Sequence, residues 1–415
     1  MIKILILNSD NSGGVGYHRI VNPHININEK DIYTEIRLLN DGTLPLMNPN
    51  YIKQYNIIFF NKVIPFANNQ IEDNFFNICK QNNIKLVYDI DDYWKLDSTH
   101  LNYKNWKKNN SDKKIENILS KVDVITTTTQ IFADEISKIN NNVIILPNAL
   151  NMNEMQWNNE KYKSDKIRFI WGGGISHMVD IILLKKEFKK FDKNFINKSQ
   201  LYLCGYDLRT RINDNMTLKD DYRKSFWGKF EGIFTNNNRY IKDYKYQEYL
   251  INSSNFDNDE TYGKNEEFIT EFYQRRHTKP ILLYGTMYKE ADIALAPLKN
   301  KHSFNKYKSQ LKVIESGVHK MPLIASDYYP YQIDDIEGKI DGKQKGFLID
   351  EKISNWYEKM KWYVDNPSAI EDHGNNNYEH FLKNYEMNVV NKKRIELYRD
   401  LSKQEPGNIN IENLK

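Results

Sequence analysis

Residues 291–326 read ADIALAPLKNKHSFNKYKSQLKVIESGVHKMPLIAS, two apolar runs enclosing a charged segment. The flanking runs, 291–298 and 322–327, are apolar at consecutive positions, as in strands covered on both faces of a parallel sheet. Between them the spacing predicts a helix over 308–317. It would put Lys308, Lys312 and Glu315 on one face and Leu311, Ile314 and Val318 on the other. Strand, crossover helix, strand is a βαβ unit, and a chain of such units folds as a doubly wound α/β sheet.

The same alternation extends outward in both directions. Strands are predicted at 2–8, 33–39, 56–61, 84–90, 122–128 and 143–149, with helices such as 69–82 and 129–140 between them. A polar stretch at 148–165 reads as a linker. A second series follows at 167–174, 200–206, 281–285, 291–298, 322–327 and 346–350. It is interrupted over about 206–280 by a Tyr- and Asn-rich stretch too long for a bare loop, so an insertion with helices near 241–252 and 265–275 is expected. The residues from 354 onward are strongly helical. Two domains are expected, an N-terminal one over 1–155 and a second over 165–370, which suits 415 residues.

Composition narrows the function. With 59 basic and 55 acidic side chains the net charge is +4, too small to drive general binding to nucleic acid or anionic membrane. The two cysteines, Cys79 and Cys204, lack metal-type spacing and read as free thiols in a reducing cytoplasm. The start, MIKILILNSD, has too short an apolar run for a signal peptide, and no stretch of about 18 apolar residues exists to span a membrane.

Four places carry candidate chemistry. In the charged segment, Lys308 and Ser309 at a helix start suit a diphosphate, and Glu315 suits the vicinal hydroxyls of a ribose. A solvated face with an ordinary Lys312–Glu315 pair is the competing account. WGGGISHMVDI (171–181) offers Gly172–Gly174 for close approach of backbone to phosphate, with Ser176 and His177 at the next helix start. NSDNSGGVGYHRI (8–20) is a glycine-rich turn with Gly13, Gly14 and Arg19. As a dinucleotide fingerprint it is poor, because a third glycine would fall at Arg19. VYDIDDYW (87–94) places Asp89, Asp91 and Asp92 at a strand end, and three acids there are costly to bury unless paired or functional.

ADIALAPL…FNKYKSQLKVIESGVHKMPLIAS resembles the donor-binding region of the family-4-type glycosyltransferases. The pattern of Glu, seven residues, Glu places its second acid at Glu315 and its first at Tyr307. Phe304, Asn305, Lys308 and Ser309 match a phage-encoded subgroup with Phe-Asn-x-x-Lys-Ser. IILPNALN (144–151) resembles the stretch closing the first domain, with Pro147 and Asn148 in register, and 171–181 resembles the first strand–loop–helix of the donor domain.

The resemblance implies the GT-B fold, two Rossmann-like domains facing across a cleft, with helices at about 375–405 packing back on the first. It also implies transfer with retention from a UDP- or GDP-linked sugar, no tightly bound cofactor and no metal. Gly173, Gly174, Ser176, His177, Asn305, Lys308, Ser309, Lys312 and Glu315 would bind the donor, with Lys308 also stabilising departing charge. Gly13, Gly14 and Arg19 would line the cleft, while Asp91 and Asp92 would orient the acceptor or stabilise oxocarbenium charge. The acceptor is open between a glycan and hydroxymethylated DNA, for which YKNWKKNNSDKK (103–114), with five lysines, Tyr103 and Trp106, is the local hint. A non-catalytic nucleotide-binding module and an NAD-dependent enzyme are the remaining alternatives.

Overall fold

The computed structural model describes the chain except residues 10–12, 40–41, 101, 159, 175–176, 207–208, 213–214, 219–271, 301–302, 406–408 and 413–415. It divides into two compact units, one of Met1–Met152, Lys301–Ile314 and Leu382–Lys415, the other of Asn153–Asn300 and Glu315–Phe381.

The first unit holds β1 (Ile2–Asn8), β2 (Ile32–Leu38), β3 (Ile57–Asn61), β4 (Lys85–Asp89), β5 (Val124–Thr127) and β6 (Val143–Ile145). They form one parallel sheet in the order β2-β1-β3-β4-β5-β6. Every residue of β3 and β4 is buried, which explains why their apolar runs do not alternate. One face is covered by Phe75, Ile118 and Phe132, from the helices Asn69–Gln81, Ser111–Lys121 and Gln130–Ile136. On the other, Ile395, Leu397, Tyr398 and Leu401 of the helix Met387–Leu401 pack against Ile4, Ile6, Ile57 and Phe59.

The second unit has β7 (Ile167–Gly172), β8 (Ser199–Tyr206), β11 (Tyr273–His277), β12 (Ile293–Ala296), β13 (Leu323–Ser326) and β14 (Gly346–Ile349) in the order β11-β8-β7-β12-β13-β14, again all parallel. A small hairpin, β9 (Arg209–Ile212) with β10 (Asn215–Leu218), stands apart from it. In each sheet the strand order reverses beside its first strand, at β1/β3 and at β7/β12. The carboxyl ends of strands at such a switch point form the ligand crevice of open α/β sheets.

Three expectations are corrected. Residues 281–285 are not a strand: Leu283 N–H bonds back to Pro280 O, and Tyr284–Glu290 is a 3-10 helix. The sixth strand is the polar YQRRH of β11, which includes part of the helix expected at 265–275. As an edge strand it tolerates charge, and Arg276 lies over the Tyr202 ring and pairs with Glu290. The helix expected at 241–252, and the rest of that insertion, lie outside the described residues. Finally, the helix of the charged segment begins at Leu311, not 308. Gln310 is buried, donates to the Tyr385 hydroxyl at 3.0 Å, and lends its carbonyl to the N–H groups of Val313 and Ile314. Lys308 and Ser309 therefore precede the helix instead of lying in its first turn.

Candidate functional site

In the first unit, the ends of β1 and β4 and the segment 303–312 are joined by one chain of hydrogen bonds. Arg19, 1% exposed, sits in the π-helical turn Gly16–Val21 after β1. It donates from Nε and Nη2 to the two Asp89 oxygens, at 3.0 and 2.6 Å. Thr126 Oγ1 adds a third bond to Asp89 at 2.6 Å. Arg19 Nη1 donates to Leu146 O at 2.6 Å and Asn148 Oδ1 at 3.3 Å, and Asn148 Nδ2 donates to Ser309 Oγ at 2.9 Å. Arg19 is thus neither solvated nor pointed at a ligand. Its guanidinium is committed to Asp89, and it braces the loop that positions Ser309.

Asp91 and Asp92 follow directly on β4. Burial, then the neighbouring Asp92 and Asp89, push the Asp91 carboxyl up to about 8, against the opposing pull of Arg19. Asp92 is pushed the same way by burial and held back by the positive charges of Lys308, His100 and Lys62. Lys308 therefore lies in the electrostatic reach of Asp92, its Nζ 5.3 Å from the Phe304 ring centre. Lys312 plays a similar part toward His18, which burial and then Lys312 and Arg19 hold down at about 3.

Tyr307 explains the departure from the two-glutamate pattern. Its ring lies 4.3 Å from Tyr93 and 5.6 Å from Phe132, and its hydroxyl donates to Glu135 at 3.3 Å. An anchor stands where the resemblance has an acid. Asn305 beside it is 4% exposed. Gly13 O accepts from Tyr17 N, and among the described residues a β-carbon on Gly14 would meet only His18, at 3.9 Å.

In the second unit, the loop after β7 and the loop after β12 meet on one carboxylate. Asp180, 1% exposed, accepts from His177 Nδ1 at 2.9 Å and from Lys299 N at 2.9 Å. The imidazole is thereby oriented, with Nε2 left as its other polar atom. Gly173 and Gly174 precede it, Gly174 with no described atom within 4 Å of a built β-carbon; Ser176 lies outside the described residues. Glu315, 1% exposed, is on the helix Leu311–Val318 and accepts from the Tyr288 hydroxyl at 2.5 Å.

The structure adds Asp180, Tyr288 and Gln310 to the residues singled out in the sequence. Asp89 was visible as the first of three acids. For Tyr288 no sequence signal existed, since it falls between the strands expected at 281–285 and 291–298. Among the described residues no group of three or more His, Cys, Asp or Glu is placed to hold a metal, both cysteines are free and buried, and no helix is long and apolar enough to cross a membrane.

Two parallel six-stranded sheets, each flanked by helices, define the GT-B class of fold. No family model matches the sequence, and no curated protein does. Solved structures do match. Sucrose-phosphate synthase from Thermosynechococcus elongatus superposes with a TM-score of 0.58 at 11% identity, over 97% of this chain and 99% of that one. Anabaena HepE in complex with UDP-glucose gives 0.57 at 9% identity, over 96% and 100%. An alpha-glucosyltransferase in complex with UDP and a 13-mer DNA gives 0.55 at 10%, over 96% and 99%. At these identities, what they share with this chain is the fold.

Proposed function

We propose that the protein is a glycosyltransferase that moves a sugar from a UDP-sugar to a hydroxyl acceptor, with retention at the anomeric carbon. The observation that supports this most is the end-to-end likeness, in both directions, to proteins whose structures hold UDP or UDP-glucose. In this reading Lys308, Ser309 and Lys312 receive the diphosphate, with Asn305 beside them. In the same reading Gly173, Gly174, Ser176 and His177 also bind the donor, and Glu315 binds the ribose. Gly13 and Gly14, which follow β1, belong to the loop that receives the acceptor.

The acceptor oxygen forms a bond to the anomeric carbon as the bond from that carbon to the phosphate oxygen breaks. The electron pair leaves with UDP, and the acceptor proton passes to the departing phosphate oxygen. Lys308 stabilises the charge that grows there. With its carboxyl raised to about 8, Asp91 is largely protonated at neutral pH. In that neutral form it orients the acceptor hydroxyl by hydrogen bonding; Asp92, in the electrostatic reach of Lys308, helps set the position of that lysine.

Calorimetric titration with UDP, GDP and UDP-glucose tests the reading, followed by turnover of the sugar that binds. Selective binding of UDP is expected, and failure to bind any nucleoside diphosphate would remove the proposal.

DNA as the acceptor is the second reading. Lys104, Lys108, Lys113 and Lys114 are exposed on the adjacent helices Tyr103–Lys108 and Ser111–Lys121, a basic strip suited to a phosphate backbone. Trp106 between them is half-buried and packed on the core, its indole N–H donating to Trp94 O at 2.8 Å. A salt-sensitive gel shift with hydroxymethylated DNA, lost on neutralising these lysines, is the expected result; unshifted DNA would leave a glycan as the acceptor.

A further inference from the structure

The 3-10 helix Tyr284–Glu290 takes no part in the chemistry described above, yet it carries two tyrosines toward two parts of the donor site. Tyr288 is 1% exposed and donates its hydroxyl proton to Glu315 Oε2 at 2.5 Å. A side-chain hydrogen bond also joins Tyr288 to Tyr284. The two rings stand edge to face, 6.4 Å apart. At the far end, the Tyr284 hydroxyl lies 3.5 Å from where a β-carbon on Gly172 would be, beside the glycine loop after β7.

The helix carrying them is clamped. Gly285 N donates to Gln156 Oε1 at 3.0 Å, a β-carbon on Gly285 would lie 2.6 Å from the Trp157 ring, and Lys279 Nζ bonds Thr286 Oγ1 at 3.1 Å. The Tyr288 ring is stacked on His319 at 5.4 Å and 28°. His319 itself is wholly buried. A phenol with its ring held on one side and its hydroxyl on a carboxylate has little freedom left, so it transmits its own position to the acid.

We infer that Tyr288 is a positioning residue for the nucleotide: through its hydrogen bond it fixes the Glu315 carboxylate in the orientation that receives the two ribose hydroxyls, and Tyr284 ties that setting to the glycine loop. The inference rests on the donor reading above. It has a specific consequence, because a carboxylate held in one rotamer discriminates a ribose from its deoxy analogue, and an unheld one does so less.

The experiment compares UDP with 2′,3′-dideoxy-UDP by calorimetric titration against the full chain and two variants. The unaltered protein is expected to prefer UDP by about tenfold or more, the value of one or two hydrogen bonds to a charged group. Tyr288→Phe, which keeps the ring and removes the hydroxyl, is expected to reduce that preference to about threefold or less, with dideoxy-UDP bound as before. Tyr284→Phe should lower the preference in the same direction and less, and it keeps the test alive should Tyr288→Phe fail to fold. An unchanged preference in both variants, or an equal loss of both ligands, would overturn the positioning role and leave the donor reading standing. If the unaltered protein binds neither nucleotide, the donor reading itself falls.

Discussion

Asp89 is held by Arg19 through two oxygens and by Thr126 through one, and it is 2% exposed. A buried pair of this kind adds little over an apolar replacement, but losing one partner strands the other charge, at about 3–5 kcal/mol. Arg19→Ala is therefore expected to lower the urea unfolding free energy by about that amount; a change under about 1 kcal/mol would mean that Asp89 finds another donor. Lys308→Ala is expected to reduce kcat for UDP-sugar turnover by about 100-fold with a smaller effect on donor KM, because charge grows on the diphosphate only as the bond breaks. Unaltered kcat would remove Lys308 from that role. Asp91 makes a pH prediction. Its folded-state pKa, about 8 against an ordinary 3.8, means that the native chain holds a proton which the unfolded chain releases. The associated stability is complete below about pH 4 and is lost as pH rises through 8. Melting temperatures measured from pH 6 to 9 should fall less steeply for Asp91→Asn than for the unaltered protein, and parallel curves would refute the assignment.

At the level of elements, the candidate site depends on how the ends of neighbouring strands approach each other. Gly205 near the end of β8 has φ +104°, and a β-carbon there would lie 2.2 Å from Gly173 O. Gly173 N in turn donates to Cys204 O at 3.2 Å. The glycine loop after β7 is thus laid directly on the end of β8, and a side chain at 205 must displace it. Gly205→Ala is expected to weaken UDP binding by about tenfold and to cost about 1–3 kcal/mol of stability. Undiminished UDP affinity, measured by titration, would show that the loop position is immaterial to the donor. Apart from β11, the strands of the two sheets were readable from their apolar residues. The 281–285 segment was not, since a five-residue apolar run reads equally as a buried strand or a short helix. What decided it was the turn from Pro280 to Leu283, which leaves Leu282 65% exposed.

Across the whole chain, the C-terminal residues complete a core formed by the N-terminal ones. Leu397, Tyr398 and Leu401 are fully buried against β1 and β3, and the Tyr398 hydroxyl meets His24 Nε2 at 2.6 Å. His24 Nδ1 lies 2.5 Å from Ile20 O, to which it donates, so its Nε2 accepts the tyrosine proton. Each fully buried side chain of this size contributes about 1.5–3 kcal/mol, and a folded domain is stable by only about 5–15 kcal/mol in all. A chain ending at Phe381 is accordingly expected to leave the first unit unfolded, seen as rapid proteolysis of residues 1–152. Protection equal to that of the full chain would show that the N-terminal sheet closes its core by other means.

Amino-acid order alone was enough for the two parallel sheets, for every strand of them but β11, and for the location of the charged segment. Those features follow from local periodicity and from apolar runs long enough to be unambiguous. The donor-type motif could likewise be read from neighbouring residues in the chain. Only the tertiary structure decided what each polar side chain does. The commitment of Arg19 to Asp89, the tie of Asp180 to Lys299, and the hold of Tyr288 on Glu315 join residues 70, 119 and 27 positions apart in the chain. Hydrogen-bond partners at such separations are chosen by where strands and turns bring them, and short-range pattern carries no record of that choice.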